Sequence, residues 1–156
     1  MHHQKKEAPL RLIALIPATS GIGFAVMETP QTVIDWGKRC GPTATEELFK
    51  TYNPDVLVIE DVTVPGCRKR QARRDHIGFI EALADEMEIA VRPIARYAVL
   101  DHFGVDTKVE LAKAVSLRVP ALAHRVPPYR KAWMTEDQRL PIFEALGFLF
   151  AVLRAE

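Results

Sequence analysis

Cysteine is scarce in this chain. Its 156 residues hold two, Cys40 and Cys67, and neither has the CxxC spacing or the paired histidines of a cysteine-ligated metal or a disulfide framework. Both are expected as free thiols, in keeping with an intracellular, cytoplasmic protein. Net charge is nearly absent as well. At +1 it gives no whole-molecule attraction to a polyanion or a membrane, so electrostatic recognition has to come from local clusters. Long apolar runs are missing: no stretch approaches the roughly 18 residues of a membrane span. The opening MHHQKKEAP lacks the apolar centre of a signal peptide. Residues 1–10 read as a flexible tail, with His2 and His3 part of it and not metal ligands. No internal repeat, low-complexity tract or linker interrupts the remainder.

A hydrophobic content of 48% is enough for one core, and residues 11–156 read as a single domain. Leu12 to Ile16 is apolar on successive residues, as in a strand covered on both faces. A Pro17/Ser20/Gly21 turn follows, then a second run (Ile22 to Met27), a turn at Thr29 and Pro30, and a third run (Thr32 to Trp36). Turns this short make an antiparallel meander. Thr43 to Glu46 has the pattern of a capping box opening a short helix to Lys50, stopped by Asn53-Pro54. Val56 to Ile59 is a buried-type strand, and from Gln71 to Glu88 the apolar residues Ile77, Ile80, Leu83, Ala84 and Met87 fall at helical spacing. Ile89 to Ile94 is a fifth strand, and crossovers make the last two parallel. Arg96 to His102 reads as a short helix stopped by Gly104, and Thr107 to Glu110 as a second capping box with a helix to Leu117. Residues 121–133 form an irregular connection. A third box, Thr135 to Gln138, precedes an apolar closing helix from Leu140 to Leu153, with Pro141 near its start. The fold class is α/β.

Three features carry chemistry. Glu60 and Asp61 end the fourth strand, and in open α/β sheets functional groups gather at the carboxyl ends of strands. Asp61 has a second reading, as the cap of a turn. Glu144 lies within LPIFEALGFLFAVL, where a carboxylate needs a partner or water because burying it unpaired costs several kcal/mol. It reads either as a site residue or as a one-residue exposed stripe. Its helical neighbours Gly147 and Ala151 are small, so that face is expected close to the sheet, and Asp137 falls on roughly the same face. The third feature is the basic cluster Arg68, Lys69, Arg70, Arg73 and Arg74, around the start of the long helix. Cations there oppose the helix macrodipole, so local stability does not account for them, whereas phosphate would gain from both. A solvated basic loop is the plainer alternative. Lys108, Arg125, Arg130 and Lys131 extend the patch, with Tyr129 and Trp133 as stacking candidates.

The element order resembles one known architecture, as do Ile16-Pro-Ala-Thr-Ser-Gly-Ile-Gly23-Phe, the strand ending in Glu60 and the Glu-Ala-Leu at Glu144. It is similar to the RuvC-like branch of the RNase H-like superfamily, typified by Holliday junction resolvases, over Arg11 to Arg154. That resemblance implies a five-stranded mixed sheet of order 3-2-1-4-5, strand 2 antiparallel, flanked by helices. It also implies carboxylates at the end of the first strand, at the end of the fourth and on the last helix, together holding Mg²⁺ or Mn²⁺ for phosphodiester hydrolysis. Carried over, the second falls on Glu60 and the third on Glu144, with Asp61 or Asp137 as further support. The first falls on Ile16, which has no oxygen to offer.

The resemblance therefore implies a nucleic-acid-binding, nuclease-fold protein with Glu60, Glu144 and Asp137 as catalytic residues and Glu60, Glu144 and Asp61 as ligands of a weak, one-metal site. Arg68, Lys69, Arg70, Arg73, Arg74 and Lys108 would contact phosphate. Its expected partner is branched DNA, bound as a homodimer on a two-fold junction, with cleavage impaired. Two alternatives stand beside it: an inactive binding or protein-interaction module, and an RNA-processing nuclease of the same superfamily. A sugar-kinase or actin-like ATPase, which shares the sheet, would need a second domain for which the chain is too short.

Overall fold

The central strand takes its place from its composition. In the computed structural model, which describes residues 8–19, 21–67, 69–125 and 139–154, Arg11–Ala18 forms β1, with every residue from Leu12 to Pro17 buried. Its side chains alternate between two cores: Leu12, Ala14 and Ile16 enter one, Ile13 and Leu15 the other. A strand buried on both faces needs no polar alternation, which is why the run is apolar throughout. Strand β2 (Gly21–Glu28) pairs antiparallel with β1, and β3 (Thr32–Arg39) antiparallel with β2. Strands β4 (Val56–Glu60) and β5 (Ala90–Ile94) add in parallel on the other side of β1. The sheet order is β3-β2-β1-β4-β5, as the resemblance implies. Strand β3 lies at one edge and is half exposed. It skips a residue of register at Ile34, opposite Val26 and Met27, and a bulge of this kind bends an edge away from further pairing.

Helices cover both faces. On one, α1 (Ala44–Tyr52) and α2 (Gln71–Glu86) pack through Leu48, Phe49, Ile77, Ile80 and Ala84 onto Ile13, Leu15, Phe24 and Leu57. On the other lie α3 (Arg96–Phe103), α4 (Lys108–Arg118), a 3-10 segment (Pro120–Arg125) and α5 (Leu140–Arg154). The stops follow local chemistry. Asn53 takes the left-handed conformation (φ 46°) and donates its N–H to the Phe49 carbonyl, closing α1, and Gly104 (φ 66°) closes α3. Thr107 caps α4 as its sequence predicts, its hydroxyl accepting from the Glu110 N–H at 3.1 Å. Thr43 does not: its hydroxyl donates to the Glu47 carboxylate at 2.9 Å and leaves the backbone uncapped.

Helix α5 is buried from Leu140 to Val152. Pro141 falls in its first turn, where the missing N–H has no intrahelical partner to lose. The close approach to the sheet occurs here. A Cβ built on Gly23 would lie 2.4 Å from Pro141 Cβ and 2.6 Å from its carbonyl carbon, so only glycine lets the helix start rest on β2. The expectation that Gly147 would bring α5 onto the sheet is corrected: a Cβ there would meet the Leu111 side chain of α4 at 3.1 Å. Among the described residues neither Cys40 nor Cys67 forms a disulfide. Among the described residues no helix is long and apolar enough to cross a membrane.

Candidate functional site

Three strand ends and one helix converge. The parallel register of β1 and β4 pairs Ala14 with Val58; carried two residues further, it sets Ile16 beside Glu60. Strand β5 ends at Ile94, opposite Glu60, and Arg96, the first residue of α3, follows it closely. Pro141 pressed against Gly23 fixes the start of α5, and Glu144, three residues on, lies on the same helical face above the strand ends.

Glu60 and Glu144 are both buried, at 6% and 1% exposure, and one guanidinium joins them. Arg96 Nη2 donates to Glu60 Oε1 at 3.0 Å, and Arg96 Nη1 lies 2.9 Å from Glu144 Oε2. The second contact is a close ion pair whose alignment is poor for a hydrogen bond. Two lysines complete the group: Lys69 Nζ is 3.3 Å from Glu60 Oε1, and Lys108 Nζ is 3.7 Å from Glu144 Oε1. Burial alone would discourage the Arg96 cation, but Glu144 and Glu60 more than offset this, and its pKa is raised. Lys69 responds oppositely. Burial, followed by repulsion from Arg96 and Lys108, outweighs its attraction to Glu60 and Glu144, and its pKa is lowered from the usual 10.5.

The remaining predicted residues divide. Asp61 turns away from Glu60: its Oδ1 accepts from the Thr63 N–H at 2.9 Å and the Thr63 hydroxyl at 2.6 Å. These bonds lower its pKa, and it caps a turn. Arg74 donates to the carbonyls of Val62, Cys67 and Lys69 at 2.7, 3.0 and 3.1 Å, and so organises the loop before α2. Arg73 reaches the Thr19 hydroxyl at 3.5 Å, and Arg70, just before α2, is exposed. Arg68, Asp137, Tyr129, Arg130, Lys131 and Trp133 lie outside the described residues, as does the side chain of Arg125. Arg96 is the residue of this group that sequence reasoning missed. The signal was present: it directly follows a strand end, as Glu60 occupies one, and it is a cation in a helix's first turn, where the dipole disfavours it.

Clefts open around this group. One of about 190 Å³ is lined by Ile16, Lys69, Arg73, Arg96, Lys108 and Glu144. A second, of about 550 Å³, continues from Lys69 and Arg73 over Arg70 and His76. On the far side of Lys69 and Arg96 a third, of about 590 Å³, is walled by Val64, Pro65, Tyr97 and Leu100.

The metal that the resemblance implies does not fit this donor set. Ile16 offers no ligand, and Asp61 is turned into its own loop. Among the described residues, no three His, Cys, Asp or Glu side chains gather. The two carboxylates that do meet already face three cations, Arg96, Lys69 and Lys108. A divalent ion would have to displace a buried guanidinium to reach them.

No protein family profile and no curated protein matches the chain. Solved structures do. The chain is similar to RuvC of Thermus thermophilus in complex with a Holliday junction substrate, at 13% identity and a TM-score of 0.60, with 94% of each chain covered. A second Thermus thermophilus RuvC structure matches at 14% identity and a TM-score of 0.59, covering 94% of this chain and 95% of that one. At such identities the likeness concerns the fold, and the fold is the RuvC-like, RNase H-like one.

Proposed function

We propose that this chain is a nucleic-acid-binding protein of the nuclease fold that holds branched DNA in its basic clefts without hydrolysing it. The observation that carries the reading is Arg96, whose guanidinium bridges the two carboxylates to which the resemblance assigns divalent ions. A phosphodiester hydrolase of this type needs a metal to activate water and stabilise the leaving oxygen. With a guanidinium in that position and Ile16 beside it, neither role has a donor set. Affinity for phosphate is supported by Lys69, Arg70 and Arg73 along the clefts next to Arg96. The Thermus thermophilus relative of this fold, described with a Holliday junction, makes a four-way junction the first substrate to try. A homodimer would match its two-fold symmetry.

The test is a gel shift with four-way junction, duplex, single-stranded DNA and structured RNA, in EDTA and again in Mg²⁺ or Mn²⁺. The expected result is a junction complex in EDTA that weakens steeply with salt, and no cleavage with either metal. Cleavage abolished by Glu60→Gln would overturn the reading in favour of a metal-dependent endonuclease. Absence of any salt-dependent affinity would instead leave a protein-interaction module. Preference for structured RNA in competition would move the substrate class from DNA to RNA.

A further inference from the structure

The smallest cleft holds an imbalance of charge that the nuclease fold does not require. Its lining brings four cationic side chains, Lys69, Arg73, Arg96 and Lys108, around one carboxylate, Glu144, with Glu60 joined beneath through Arg96 and Lys69. Four positive groups meet two negative ones. Arg73 is held loosely, 3.5 Å from the Thr19 hydroxyl, and at that length little is lost on turning to a better acceptor. Lys108 Nζ stands 3.7 Å from Glu144 Oε1 at the same cleft. Arg96 Nη1 is buried with no aligned acceptor. About 190 Å³ of space lies between these groups, room for several waters at roughly 30 Å³ each and so for a tetrahedral oxyanion.

We propose that this cleft is a metal-independent seat for one backbone phosphate, in which Lys69, Arg73, Lys108 and Arg96 neutralise the charge that divalent ions neutralise in metal-dependent nucleases. Ile16 then gains a physical reason. An aspartate there would add a third carboxylate facing the phosphate, whereas isoleucine removes that repulsion and keeps water from one wall, which strengthens each remaining ion pair. The carboxylates keep a role too, since Glu60 and Glu144 hold Arg96 and orient Lys69 and Lys108 toward the space above. Lys69 holds its proton less tightly than a free lysine, first through burial and then through the nearby Arg96 and Lys108, and an anion beside it would oppose that shift.

This inference rests on the proposed function and is separable from it. The first measurement is an NMR titration of the intact chain with inorganic phosphate in EDTA, followed by Mn²⁺ without phosphate. Saturable shifts centred on Thr19, Lys69, Arg96 and Lys108 are expected, with no selective broadening by Mn²⁺ at Glu60 and Glu144. The second is junction affinity for Lys108→Ala and Arg73→Ala against Lys50→Ala, which lies at the end of α1 near the start of β4 and away from the strand's Glu60 end, each checked for folding by circular dichroism. Each cleft variant should weaken the complex about tenfold and reduce the salt slope by about 1, and Lys50→Ala should do neither. A junction that binds with undiminished affinity in both cleft variants, or phosphate that leaves those resonances unmoved, overturns the seat while leaving DNA binding in place. Selective Mn²⁺ broadening overturns it in favour of a metal site. Failure of the unaltered chain to bind any nucleic acid removes both conclusions together.

Discussion

A guanidinium in contact with two buried carboxylates compensates charges that would otherwise be costly to bury. Among the described residues, Arg96→Ala leaves Glu60 and Glu144 with Lys69 and Lys108 as ionic partners, neither closer than 3.3 Å. Breaking a buried pair in this way costs about 3–5 kcal/mol, readable as a lower urea midpoint at unchanged slope. Removing the two carboxylates as well, in Arg96→Met with Glu60→Gln and Glu144→Gln, should recover most of that loss. A triple variant as unstable as Arg96→Ala would refute the charge argument. Lys69 is expected to behave differently because its folded pKa is lowered. The unfolded chain holds that proton more tightly, so stability rises with pH between the lowered value and 10.5, and at neutral pH the charged lysine costs stability. Lys69→Met should therefore melt no lower than the parent at pH 7. It should also abolish a loss of junction affinity that the parent shows as pH climbs through the lowered value, since phosphate binds the ammonium form. Glu60 and Glu144 were legible in the sequence because a strand end and an apolar helix are visible in one dimension. Arg96 was not, since its meaning depends on which strand lies next to which.

Between elements, the position of the site depends on how α5 meets the sheet. The meander, the parallel crossovers and the five-helix pattern followed from hydrophobic periodicity and turn signals, because each run's burial is imposed by its own residues: β1 apolar throughout, α2 apolar at helical spacing; the order of the strands in the sheet came from the family resemblance instead. Contacts across elements were not legible. The small residue that matters for the approach of α5 is Gly23 on β2, and Gly147 makes room for Leu111 of α4 instead. Likewise Thr43 and Thr107 carry the same capping pattern, yet only Thr107 accepts a backbone N–H, the Thr43 hydroxyl having found Glu47. Gly23→Ala tests the packing argument. Its Cβ would meet Pro141 backbone and ring atoms under 3.0 Å, and neither can rotate away, so the start of α5 must lift. We expect a loss of about 1–3 kcal/mol, the usual range for overpacking, together with weaker junction binding as Glu144 and Arg96 lose register. Gly147→Ala, facing a flexible leucine, should cost less. Equal losses in chemical denaturation would place the critical approach elsewhere.

Over the whole molecule, charge is balanced at +1, yet the strand ends concentrate one sign. Counting the groups in direct ionic contact, Lys69, Arg96 and Lys108 against Glu60 and Glu144, the site carries one positive charge in excess. That count makes a prediction about reversal. Ile16→Asp alone brings three carboxylates against three cations, and the new acid has Arg96 close by to pair with, so no divalent affinity should appear. Ile16→Asp combined with Arg96→Ala leaves three carboxylates against two lysines and vacates the space between Glu60 and Glu144, which is the charge and the opening a hard cation requires. The double variant should be the less stable protein without metal, because its acids repel one another. With Mn²⁺ its melting temperature should rise with concentration, since a ligand that binds only the folded state stabilises it by mass action. Calorimetry would follow binding directly, without reliance on cleavage. Mn²⁺ affinity in the single variant would mean that Arg96 does not hold the metal out. No affinity in the double variant would mean that the strand ends no longer present three oxygens to a common point, and the exclusion would then lie in backbone geometry and not in charge.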